Sequence, residues 1–198
     1  MKTSALRMAT PFVSFIMSIV GGGLLGAITN GINGRVSPLY FQNIMRWHDV
    51  SNIPRAAIAQ GIFEGLICGL IFGTIFVLAV SIISKLRLGI AHSLSYLGFL
   101  FGSAFLAWCL GGLLAIILAW ISPDFYTRAF IGVPEDFTGM LRYAWVGGSI
   151  WGVQFGGFAL LIIWIAVFGI KWKANKAVDS TATRVTPPAE QEPRHGQP

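Results

Sequence analysis

Four apolar blocks, residues 11–36, 56–84, 93–121 and 143–170, leave this chain few folds to choose from. Each exceeds the roughly 20 residues that span a bilayer. A soluble domain would spread charge over its surface, yet only 11% of the 198 residues are charged, against 55% apolar. That is less than half the charge of an average globular protein, about 25%. In lipid the backbone must satisfy its own hydrogen bonds, so each block predicts a helix despite its turn-prone glycines. The expected fold is an all-α integral membrane protein with four transmembrane helices and the lipid bilayer as its solvent.

The charges that do occur sit between the blocks. Lys2, Arg7, Lys85, Arg87, Lys171, Lys173 and Lys176 lie on one side of the implied membrane, and Arg35, Arg46, Arg55, Arg128 and Arg142 on the other. The basic excess places both termini in the cytoplasm. The net charge of +6 therefore reflects topology and not a nucleic-acid surface, because no basic stripe or binding motif accompanies it. The first block has a long apolar run and no small-residue cleavage site after it, so it reads as an uncleaved helix and not a signal peptide.

The chain repeats itself. VSPLYF at 36–41 returns as ISPDFY at 121–126. Aligning Ser37-Pro38 with Ser122-Pro123 and allowing two extra residues in the later loop sets Arg55 on Arg142 and Ala57 on Ala144. Gly61, Gly65 and Gly69 then fall on Gly148, Gly152 and Gly156. This pattern predicts two tandem, parallel helical-hairpin repeats, residues 11–92 and 93–172, between a cytoplasmic N-terminus (1–10) and a disordered cytoplasmic tail (173–198). Ser is a favoured helix N-cap and Pro a favoured first helical residue. Ser37, Pro38, Ser122 and Pro123 therefore predict caps that start short helices, about 38–47 and 123–131, on the non-cytoplasmic side. Their aromatic faces and polar backs suit the headgroup region, as an anchor or as a platform for a ligand or partner.

Glycines recur every four residues. Gly61, Gly65, Gly69 and Gly73 line the second block, and Gly148, Gly152 and Gly156 the fourth. Looser series pass through Gly22 and Gly26 in the first and Gly111 in the third. Such ridges let helix backbones approach closely, a main source of helix affinity in lipid. In spacing alone this is similar to four-span subunits of inner-membrane protein translocases, a likeness that implies no function here.

Glu64 is the one acidic residue inside a block, which makes it a candidate functional residue. Gln60 and Glu64 share a helix face, and counting back from the outer loop puts Asn30 at similar depth. These three residues predict polar glue that fixes helix register, an ion or proton site, or a contact with a partner subunit. Cys68 and Cys109 read as small apolar fillers. No histidine pair has metal-ligand spacing, and neither enzyme motifs nor cofactor fingerprints occur. The expected function is a non-catalytic membrane scaffold or accessory subunit that packs against other membrane proteins, or against itself, through its glycine ridges. The alternative is a small oligomeric ion or proton channel or transporter using Glu64.

Overall fold

The computed structural model describes residues 2–185, with side chains for residues 9–175. Its elements are α1 (Lys2–Val36), α2 (Pro38–Met45), α3 (Ile53–Ser84), α4 (Ile90–Ile121), α5 (Pro123–Ala129), α6 (Phe137–Trp151), a π-helical turn (Gly152–Gly156) and α7 (Gly157–Val185). Among the described residues there is no strand. Four segments are long and apolar enough to cross a membrane: Ala9–Val36, Ile53–Ser84, Ile90–Ile121 and Phe137–Asn175, the last running through the π turn. Large apolar side chains such as Leu24, Phe63, Leu114 and Phe155 stand exposed along them, as expected where lipid is the solvent. Helix α7 continues past Lys173, where the sequence put the start of the tail, and residues 186–198 of that tail lie outside the described residues.

Helix α1 packs chiefly on α3, and α4 on α6 and the π turn. α1 also touches α4, and α3 touches α7, which closes a four-helix bundle. At the end of the bundle nearer the chain termini, Phe76, Val80, Leu97, Leu100, Leu161 and Phe168 join α3, α4 and α7 in one apolar cluster. At the other end, Phe41, Ile53, Ala57, Tyr143 and Val146 tie α2 to α3 and α6. Helix α1 behaves differently. Its buried positions are Thr10, Ser14, Ser18, Thr29, Asn30 and Asn33 together with glycines, and no large apolar side chain of its described residues is buried.

Helices α1 and α4 end, and α3 and α6 start, where the sequence removes a donor or supplies a cap. Pro38 and Pro123 sit at the first positions of α2 and α5, where the missing N–H costs nothing. Ser37 and Ser122 occupy the N-cap positions, but neither side chain makes a capping hydrogen bond. Their backbone N–H groups instead close the preceding helices, on Asn33 and Leu118. Side-chain capping falls to Asn52, which accepts from the Arg55 N–H at 3.0 Å, and to Asp136, which accepts from Gly139.

Candidate functional site

The glycine faces meet inside the chain. A Cβ added to Gly26 would strike the Gly61 carbonyl, and one added to Gly61 would strike the Gly26 carbonyl. Gly22 and Gly65 block one another in the same reciprocal way. Further along, Gly69 lies on the Ser18 carbonyl and Gly73 on the Ser18 side chain. In the second hairpin Gly111 and Gly148 are reciprocal, and Gly152 rests on the Ala107 carbonyl. These approaches are possible only without side chains, so one face of α1 is matched to α3 and one of α4 to α6.

Gly156 departs from this pattern. The π turn adds a residue to the helical period there, so Gly157 takes the buried place while Gly156 is half-buried, with its Cβ position 2.9 Å from the Ala107 Cβ. Spacing of four continues as far as Gly152 and then gives way to a step of five. Nothing in the glycine pattern itself signals that shift.

The polar residues converge beside the first glycine pair. Gln60 donates to one Glu64 carboxylate oxygen at 2.7 Å, and the Asn30 amide approaches the other at 3.4 Å. Gln60 Nε2 also faces the Met45 sulfur at 3.7 Å. Asn30 is buried, and Glu64 and Gln60 are half-buried. A cavity of about 100 Å³ lies against this cluster, bounded by all four spans; Thr29, Cys68, Trp108 and Gln154 share its wall with the glycines. A water needs roughly 10–15 Å³ of such space, so several fit. The buried Trp108 N–H has no partner among the described residues. Chemically the arrangement can hold a small polar cluster in the apolar interior, with two amides oriented on one carboxylate.

Sequence reading passed over a second set of polar contacts. Ser14 and Ser93 share a hydrogen bond at 2.7 Å between α1 and α4, and Ser18 donates to the Ser14 carbonyl at 2.8 Å. Ser149 donates to Asn33 at 3.2 Å, joining α1 to α6. A signal for part of this was present. Thr10, Ser14 and Ser18 continue, at spacing of four, into Gly22, Gly26 and Asn30.

The Ser-Pro helices converge at the far end of the bundle. Asn43 of α2 donates to the Gly132 carbonyl at 2.6 Å, beyond α5. Gly132 has φ of 70°, a conformation that side chains disfavour, and a Cβ there would lie 2.8 Å from Asn43. Tyr40 packs on Tyr143 with ring centroids 5.0 Å apart. Among the described residues no group of three His, Cys, Asp or Glu side chains could hold a metal ion. Set beside known proteins, the chain matches no family profile, no curated protein and no solved structure.

Proposed function

We propose that the protein is a non-catalytic integral membrane scaffold or accessory subunit that docks against another membrane helix. One observation carries the reading. While the glycines of α1, α3 and α6 are filled by the chain's own helices, Gly98 and Gly102 of α4 have nothing within 4 Å of their Cβ positions. They stand four residues apart on an exposed face, the spacing at which small residues admit a partner backbone. In this reading the expected glycine ridges build the unit, and the open pair on α4 receives the partner.

The proposal includes an origin by duplication. Ala57 and Ala144, equivalent in the sequence alignment, are both fully buried, as is Ala119 of α4. Gly34 packs on Ala57 in the first hairpin, and the order of long, short and long helix occurs twice. The short helices lie along the non-cytoplasmic interface, with both termini on the cytoplasmic side as the basic residues require.

Extraction from the native membrane in mild detergent, followed by measurement of particle mass, tests the role. A particle larger than one chain with its detergent, reduced to a single chain by Gly102→Leu, is the expected result. A single chain from the start removes the reading. The cavity beside Glu64 favours a second reading, a small proton or ion channel or transporter. There Glu64→Gln abolishes flux in reconstituted vesicles. For a scaffold the same substitution is mild, because a glutamine still meets Gln60 and Asn30.

A further inference from the structure

Between α2, α5 and the adjoining ends of α4 and α6 lies a pocket of about 570 Å³, within the 300–1,000 Å³ usual for small-molecule sites. Tyr40, Tyr126, Tyr143, Phe130 and Trp151 contribute to its wall, and Gly147 and Gly148 lie at its base. Tyr126 and Tyr40 are only 2% and 8% exposed. The Tyr143 hydroxyl donates to the Ile131 carbonyl at 2.6 Å. The Tyr40 and Tyr126 hydroxyls have no hydrogen-bond partner among the described residues, and neither oxygen is fully enclosed, so both are accessible to a ligand in the pocket they line. The Tyr126 oxygen lies 3.9 Å from the Cβ position of Gly147, and the Tyr40 ring 3.2 Å from it, so both converge on the glycine base.

We infer that this pocket binds an uncharged, lipid-soluble carbonyl compound whose oxygen accepts hydrogen bonds from Tyr40 and Tyr126. No lining side chain is charged, and a charged head would be buried without compensation. Both phenols are donors at any physiological pH. Burial pushes Tyr126 up to about 12, and burial, followed by the Glu64 carboxylate, raises Tyr40. The aromatic wall suits a flat ring: Tyr126 and Phe130 have centroids 4.5 Å apart, and Tyr40 and Tyr143 5.0 Å. This site stands independently of any protein partner. It gives the two Ser-Pro helices a shared task, since each supplies one of the unpaired hydroxyls.

The test is equilibrium binding of a tritiated decyl-substituted benzoquinone to the full chain in phosphatidylcholine nanodiscs. Saturable binding is expected. Replacing both hydroxyls in a Tyr40→Phe, Tyr126→Phe double variant, which keeps both rings, weakens it roughly tenfold. Decylbenzene, which lacks the carbonyls, fails to compete. Ala129→Trp, on the exposed rim of the pocket, removes saturable binding without touching a buried residue; circular dichroism confirms that each variant is helical. Absent saturation, equal competition by decylbenzene, or wild-type affinity in the double variant would each overturn the site.

Discussion

Helices α1 and α4 open the two hairpins and meet their partners through comparable faces, yet they fill the bundle with opposite materials. α1 buries serine, threonine, asparagine and glycine and turns Phe12, Leu24 and Ile28 outward. α4 buries Leu97, Leu100, Ala104 and Trp108, with a serine only near its start. In water the first arrangement would forfeit the hydrophobic effect. In lipid the tails are as apolar as leucine, so burying an apolar side chain gains little, and close approach and hydrogen bonding decide the packing. The contrast teaches that the bundle fixes its geometry in two ways, by backbone contact and hydroxyl bonds along α1 and by aromatic shape along α4.

The comparison breaks first at the backbone. Gly26→Leu must push α1 away from the Gly61 carbonyl, which cannot yield by a rotamer change. A loss of at least about 3 kcal/mol is expected, above most overpacking because the obstacle is main chain. Titration with a denaturing detergent, followed by loss of tertiary structure, measures it. A near-neutral result would mean that α1 and α3 are not this close. Trp108→Ala comes next. The indole is 3% exposed and meets Trp145 edge-on at 5.1 Å and Phe105 stacked at 5.3 Å. About 3 kcal/mol, the low end for aromatic truncation, follows because the surroundings of the unfolded state are lipid and not water.

The spans were legible because lipid imposes a length and a hydropathy that a single sequence displays directly. The glycine series were legible as ridges, but their partners were not: spacing of four gives a face and no direction, so facing a second chain and facing Gly61 look alike. The same limit hid the open pair. Gly98 and Gly102 have the spacing of Gly22 and Gly26, and only three-dimensional packing separates filled from empty. The meeting of Gln60, Asn30 and Glu64 followed from depth along the helices, whereas the tyrosine pocket did not. It depends on where α2 and α5 fold back, and that angle is set by contacts such as Asn43 with Gly132, which are 89 residues apart in sequence. The Ser-Pro pairs marked the breaks correctly, but the serine hydroxyls were free to turn away from capping once the backbone N–H closed the preceding helix.

Smaller changes sharpen the contrast between the helices. Ser14→Ala removes the hydroxyl contact from α1 to Ser93, and about 0.6 kcal/mol is expected, the average for interhelical hydrogen bonds in a bilayer. A loss several times larger would make the polar face of α1 a network and not a row of separate contacts.

The smallest effect is the most informative about function. Gly102→Leu should change the stability of the isolated bundle by less than about 0.5 kcal/mol, as surface substitutions usually do, because its Cβ position faces open space. The substituted helix gains some intrinsic propensity, but within lipid the separated span is already helical, so little of that gain appears. The same leucine would fill the gap a partner helix needs. Measured on the bundle alone and on the native particle, one variant therefore separates folding from assembly. Neutral in the first and disruptive in the second places the partner on α4; neutral in both leaves that glycine pair facing lipid and withdraws the docking surface.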